Sequence, residues 1–408
     1  MKALGPIPAG FTSIDGILAM GGKPVTHWVE EAGGTPLFLY SADRVCERVA
    51  ALRAAMPGRL SLHYAVKANP FAPLLSAMSG LVDGFDIASG GELEIVRGAG
   101  IALDKVSFAG PGKRDAELEA AIMAGVTLNL ESEGEAARAL AIAGQLGVTP
   151  RLAIRVNPDF DLKGSGMKMG GGAKPFGLDA ERVPALVREV IASGAEWRGF
   201  HIFAGSQALS AEAIAETQGQ TLDLAARLAD ESGAPLPHCN LGGGFGIPYF
   251  PGDEALDISL IGERLAERFE NLPDALRETH FCIELGRYLV GESGVYIARI
   301  VDRKVSHGEV FLITDGGLHH QLAASGNFGT VVRRNYPSAI ATRFCAEAEE
   351  EASIVGCLCT PLDKLADKGG FPRSEVGDLV AVFCAGAYGA SASPANFLGQ
   401  GPARELLV

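Results

Sequence analysis

The chain is expected to fold as a (β/α)8 barrel followed by a mostly antiparallel β domain, a sandwich or small barrel. Three observations carry that expectation. Short apolar or β-branched runs alternate with longer amphipathic stretches from about residue 60 to residue 290. Eight such runs fall within that span, the number and length a (β/α)8 barrel needs. After about residue 290 the pattern changes to the two-residue alternation of antiparallel strands.

The eight runs are LSLHYAVKA (60–68), GFDIAS (84–89), KVSFAG (105–110), VTLNLES (126–132), RLAIRVNP (151–158), WRGFHIFAG (197–205), HCNLGGGFG (238–246) and HFCIELGRYLV (280–290). Helical patterns lie between them, among them RDAELEAAIMAG (114–125), EGEAARALAIAGQLG (133–147) and AEAIAETQGQTLDLAARLADESG (211–233). Repeated strand–helix units imply a parallel sheet. A doubly wound open sheet has the same alternation, and periodicity alone does not separate the two. Residues 295–317 and 376–389 read as antiparallel strands, and 25–40 offers the β domain one more. The expected organisation is an N-terminal segment 1–35 joining the β domain, a barrel over 36–290, and the β domain over 291–408. The glycine-rich stretch LKGSGMKMGGGAKPFG (162–177) reads as a long loop, and such loops are often functional.

Composition narrows the function. With 408 residues, 47% hydrophobic and 21% charged, a sizeable core is available. The formal charge, 35 − 49 = −14, argues against nucleic-acid binding, so an anionic ligand needs a local pocket. No apolar run reaches the roughly 18 residues of a membrane span, and the N-terminus does not read as a secretory signal. Seven cysteines, an odd number without a C-x-x-C pair, argue against a disulfide framework and against a metal site. A reducing cytoplasm is the expected location.

Three motifs carry chemistry. Lys67, in YAVKANP, ends an apolar strand, where a lysine is rarely placed unless paired or used. It reads either as a Schiff-base lysine or as a snorkelling lysine with a carboxylate partner. NLGGGFG (240–246) ends the seventh run, and its glycines let backbone N–H groups approach a phosphate, although turns use glycine for conformation alone. IELGRYL (283–289) puts Glu284 and Arg287 at the end of the eighth run, as a simple ion pair or as partners of a protonated ring nitrogen and a phosphate. A lysine, a phosphate cradle and a carboxylate for a pyridinium are together the requirements of pyridoxal phosphate.

These motifs, with FDIASGGELE (85–94), HIFAGSQ (201–207), CTPLD (359–363) and GAYG (386–389), resemble the fold-type III pyridoxal-phosphate decarboxylases. That group acts on diaminopimelate, ornithine, lysine and arginine, and its barrel is alanine-racemase-like. Within it the chain looks most similar to diaminopimelate-decarboxylase-like proteins of bacterial exopolysaccharide and exosortase clusters. The resemblance implies a homodimer with shared active sites. It gives Lys67 the covalent link to the cofactor and Glu284 the pyridine nitrogen. It gives Ser206, Gly243, Gly244, Arg287 and Tyr388 the phosphate, and sets Asp86 and Arg155 around the ring. Cys359 matches the residue that reprotonates the carbanion, and Asp315 an aspartate near the distal end of the substrate.

The departures concern the substrate. Phe203 stands where a histidine usually stacks on the cofactor ring, and is expected to cover the ring face without supplying charge. Thr360 follows Cys359 where an acidic residue usually reads a remote ammonium; Asp363 closes the same motif. Arg333 and Arg334 read as partners of a remote carboxylate or phosphate, or as surface charges. The expected activity is therefore α-decarboxylation of an amino acid, diaminopimelate-like or, alternatively, carboxylate-bearing or presented by a carrier protein. A racemase or a non-catalytic cofactor-binding protein would share the barrel; Cys359 favours decarboxylation.

Overall fold

The computed structural model describes residues 1–325 and 334–408. The chain divides into two compact units, one of residues 48–246 and 255–286, the other of residues 1–47, 247–254 and 287–408.

The first unit is the barrel. Its strands are β1 (Leu60–Ala65), β2 (Gly84–Ile87), β3 (Val106–Phe108), β4 (Thr127–Leu130), β5 (Arg151–Asn157), β6 (Glu196–Ile202), β7 (His238–Gly243) and β8 (His280–Leu285). Each pairs in parallel with the next, β8 returns to β1, and β4 pairs with β5, so the ring is closed. Closure excludes the open doubly wound sheet. The strands are apolar because both faces are covered: all four residues of β2 are buried, as are Leu152, Ile154 and Val156 of β5.

Polar punctuation sets the helix limits. Ser89, Ser132 and Ser210 each accept a hydrogen bond from the third backbone N–H of the helix that follows. Gly147 and Gly233 end two of these helices in the left-handed region, at φ of 65° and 64°, where a side chain would be strained. Lys113 is enclosed in this unit. Its ammonium donates to Gly110 O at 2.8 Å, Asn129 O at 2.9 Å and Glu135 Oε1 at 2.6 Å.

The second unit is built on a long strand, β9 (Gly294–Ser306). Its second half turns at His307-Gly308 into β10 (Glu309–Thr314), the antiparallel hairpin expected over 295–317. His307 and Gly308 have φ of 49° and 82°, the tight two-residue turn that matches strand twist. Further strands are β11 (Ser338–Ile340), β12 (Glu350–Val355), β13 (Lys364–Phe371), β14 (Leu379–Val382) and β15 (Arg404–Leu407). Most pairings are antiparallel; β10 with β12 is parallel.

The barrel's expected start at residue 36 is displaced. Leu37–Tyr40 pairs antiparallel with the start of β9 and parallel with β15, and all four of its residues are buried. Its continuous hydrophobicity is that of a central sheet strand rather than a lead-in to the barrel. Residues 247–254 also cluster with this unit, although they follow β7 in sequence. Among the described residues, no helix is long and apolar enough to cross a membrane.

The Lys113–Glu135 pair is almost wholly buried, at 1% and 2% exposure. Replacing Lys113 with Ala strands a carboxylate in the interior and is expected to cost about 3–5 kcal/mol. Urea unfolding of the two proteins checks this; a loss below about 1 kcal/mol would mean that Glu135 finds another partner.

Candidate active site

In a closed parallel barrel the strand ends that share a direction form one rim. Lys67 sits on the C-terminal rim, in the single turn Val66–Ala68 that follows β1. Asn69 shapes this turn: its carbonyl accepts from Tyr64 OH at 3.0 Å, and its side-chain oxygen accepts from Phe71 N at 3.0 Å. The apolar run ends here because the chain must turn, which leaves the Lys67 side chain exposed at the end of a buried strand. Its Nζ lies 5.5 Å from the centre of the Phe203 ring, just past the end of β6.

Glu284, the penultimate residue of β8, is 7% exposed. Its Oε2 faces His201 Nε2 at 2.8 Å and accepts from Asn240 Nδ2 at 3.1 Å. Among the described residues no hydrogen bond reaches Oε1. Burial alone would raise this carboxyl, but the His201 imidazole holds it at about 2, with Lys67 and Arg155 acting in the same direction. A buried carboxylate kept ionised with one oxygen open suits a cationic N–H.

Asp86 lies in β2 and accepts a hydrogen bond from Ser107 Oγ; its Oδ2 is 3.3 Å from His63 Nδ1. Burial would lower His63, yet Cys282 and Asp86 beside it carry it well above the ordinary imidazole value. Arg155, in β5, bonds Glu131 Oε1 at 2.9 Å, and its guanidinium stands 5.1 Å from the Phe176 ring centre. Glu131 in turn accepts from Gly177 N at 3.0 Å. One carboxylate thus ties Arg155 to the end of the glycine-rich loop.

The glycines after β7 are demanded by the barrel itself. A Cβ on Gly243 would come within 1.9 Å of Glu284 O, and one on Gly244 within 2.3 Å of Gly205 O. Gly242 and Gly244 also hold φ of 70° and 85°. The strand ends are packed backbone to backbone, with no room for a side chain at either glycine. Ser206 belongs to the short strand Gly205–Ser206, which pairs antiparallel with Met167–Lys168 of the glycine-rich loop.

In the second unit, Arg287 opens a short helix immediately after β8 in the chain. Its Nη1 bonds Tyr249 OH at 2.7 Å and its guanidinium lies 4.7 Å from the Tyr388 ring centre. Arg287 Nε is buried and, among the described residues, has no hydrogen-bond partner. Tyr388 adopts φ of 57°, a conformation that costs a non-glycine residue about 1–3 kcal/mol. The orphaned guanidinium N–H beside Tyr388 is a donor with no acceptor among the described residues.

Cys359 and Thr360 lie on a turn, with Cys359 exposed. Asp363 does not have the substrate-reading role expected of it. It is 2% exposed, and its oxygens accept from Leu318 N at 2.7 Å and Leu358 N at 2.8 Å, so it fastens the turn. Asp315 is similarly engaged, by Arg299 N at 2.8 Å and by Thr35 Oγ1. Arg334 is exposed and stacks on Phe250, 3.8 Å from the ring centre. Arg333 lies outside the described residues.

The barrel unit therefore gathers Lys67, Phe203 and Glu284 on its rim, with Asp86 and Arg155 in neighbouring strands. Sequence reasoning missed His201, Asn240, Glu131 and Tyr249. His201 and Asn240 were each inside a quoted motif, as its first residue. Glu131 and Tyr249 carried no local signal. These groups suit pyridoxal phosphate: an ionised carboxylate to accept from a ring N–H, and a lysine beside an aromatic face.

His201 is expected to govern how far into acid Glu284 stays charged. With its carboxyl held below the ordinary 4.5, Glu284 contributes stability that is complete above that value and is lost as pH falls towards 2. His201→Leu removes the main opposing influence and leaves burial in control. The acid limb of kcat should then move up by at least about one pH unit, which a pH–rate profile measures.

The family model for the pyridoxal-dependent decarboxylase pyridoxal-binding domain matches residues 42–291. The L-glutamyl-[BtrI acyl-carrier protein] decarboxylase of Niallia circulans is 36% identical over 91% of this chain and 88% of its own length. The diaminopimelate decarboxylase of Archaeoglobus fulgidus is 32% identical over 98% of this chain and 93% of its own. Among solved structures, diaminopimelate decarboxylase from Helicobacter pylori, complexed with L-lysine, superposes with a TM-score of 0.82 at 27% identity, over 94% of each chain. With a closed barrel, a β unit and a lysine–carboxylate rim in place, the chain belongs to the pyridoxal-phosphate-dependent decarboxylases and is a carboxy-lyase.

Proposed function

We propose that this enzyme removes the α-carboxylate of an amino acid whose distal end is not a free ammonium, most specifically a glutamyl group carried as a thioester on a carrier protein. The observation that carries the reading is the turn at Cys359. Thr360 is neutral, and the acidic residue nearest in the motif, Asp363, has both oxygens committed to backbone N–H groups. A free diamino acid would bring its remote ammonium to a turn with no available carboxylate, a loss of about 1–3 kcal/mol for a buried charge. The likeness to the carrier-protein decarboxylase of Niallia circulans supports the same reading.

Pyridoxal phosphate supplies the sink for the electron pair left when the bond to the carboxylate breaks. Lys67 Nζ anchors the cofactor, Phe203 covers its ring face, and Glu284 Oε1 accepts the ring N–H. Ser206 Oγ and the backbone N–H groups of Gly243 and Gly244 bind the phosphate. Arg287 and Tyr388 are the anion-binding candidates of the second unit, and Asp86 and Arg155 steady the ring's surroundings. Cys359 Sγ returns a proton to Cα, in a homodimer whose subunits share their active sites. Asp315, by resemblance, and Arg334, as a partner for a remote carboxylate or phosphate, remain substrate-end candidates, and the expected location is the cytoplasm.

Carbon dioxide release from cofactor-loaded enzyme tests the substrate. The panel is glutamyl-loaded carrier protein, a glutamyl-pantetheine thioester, free glutamate, meso-diaminopimelate, lysine and ornithine. Release from the thioesters with the free amino acids near background is the expected result; rapid turnover of meso-diaminopimelate overturns the tethered reading and places the enzyme with the diaminopimelate decarboxylases. Lys67→Ala should abolish turnover on every substrate. Thr360→Asp should improve kcat/KM for a diamino acid by roughly tenfold, the effect of about 1.4 kcal/mol.

A further inference from the structure

At the end of the barrel opposite Lys67 lies a cavity of about 330 Å3. Its walls include Val106, Thr127, His238 and His280, the first residues of β3, β4, β7 and β8, so it occupies the N-terminal mouth. Catalysis in barrels uses the other rim, and of this lining Asn240 and His63 alone reach residues described above, Glu284 and Asp86.

We propose that this cavity binds a small multivalent oxyanion, phosphate or a polycarboxylate, between Arg198 and the His238–His280 pair. Arg198 Nε is buried in the mouth and has no hydrogen-bond partner among the described residues. The two imidazoles stand 5.4 Å apart between ring centres, close enough for one anion to meet both. Lys105 is exposed in the lining and adds a further cation.

Local charge supports the geometry. Burial comes first in lowering His238 to about 4, and Arg198, His280, Arg151 and His63 push the same way. Burial and then Arg151 also lower Arg198. Arg151, Arg198 and Lys105 thus bring positive charge to this mouth in a chain whose formal charge is −14. The neighbouring carboxylates do not fill the gap. Glu196, 47% exposed, bonds Arg198 Nη1 at 2.8 Å and approaches Arg151 at 3.6 Å. Asp83 accepts from Arg53 at 3.0 Å and Leu62 N at 2.8 Å, and Asp104 is exposed. An oxyanion would satisfy Arg198 Nε and relieve the like-charge crowding, with fork geometry suited to guanidinium.

Linkage gives the test a sign: an anion that prefers protonated His238 must raise the pH at which it titrates. The experiment uses cofactor-loaded protein, so that the catalytic phosphate site is filled. The His238 Cε1–H resonance, identified by its loss in His238→Asn, is followed against pH with inorganic phosphate, with citrate, and with neither. The expected result is an upward shift of at least about one unit from the value near 4 with either anion, absent in Arg198→Gln. The anion giving the larger shift identifies the source. A wild-type His238 titration unmoved by both anions overturns the proposal, as does an equal shift in Arg198→Gln.

Discussion

Closure of the parallel ring is the constraint on which the rest depends. The pairing of β4 with β5, together with β8 on β1, forces every strand to end on the same rim. Residues far apart in sequence, Lys67, Phe203, Gly243 and Glu284, are therefore neighbours by construction. The glycines after β7 serve that closure before they serve any ligand. The ends of β6, β7 and β8 approach so closely that a single Cβ would strike a carbonyl oxygen.

The rim is also electrostatically arranged. A carboxylate buried in an apolar barrel would ordinarily take up a proton. His201, with Lys67 and Arg155 beyond it, prevents that at Glu284; His201 and Asn240 hold one oxygen, and the other is left for the cofactor. Arg155 is fixed by Glu131, which also fastens the end of the glycine-rich loop at Gly177. Positioning and charge are thus supplied by residues one step removed from the reacting atoms. In the β unit, Asp363 illustrates the opposite outcome, a carboxylate in a functional motif whose hydrogen bonds are spent on its own turn.

The two ends of the barrel are chemically distinct. The C-terminal rim pairs its charges closely, His201 with Glu284 and Arg155 with Glu131. The N-terminal mouth gathers Arg198, His238 and His280, with Glu196 bonded to Arg198 and Asp83 and Asp104 in its lining. Asn240 lines the cavity at that mouth and also donates to Glu284.

By itself the sequence determined the strand–helix alternation, the eight barrel strands, the antiparallel hairpin after residue 290 and the motifs that carry Lys67, Gly243 and Glu284. These are local signals: periodicity, turn residues and glycine runs act over a few residues and survive without knowledge of the fold. Only the tertiary structure decided that the sheet closes, since open and closed sheets share one periodicity. It also decided which partners Leu37–Tyr40 takes in the β sheet that residues 25–40 were expected to extend, and that Asp363 is a structural clamp. The partners His201, Asn240, Glu131 and Tyr249 likewise emerged only there, because a hydrogen bond between residues 24 to 83 positions apart leaves no mark on either neighbourhood.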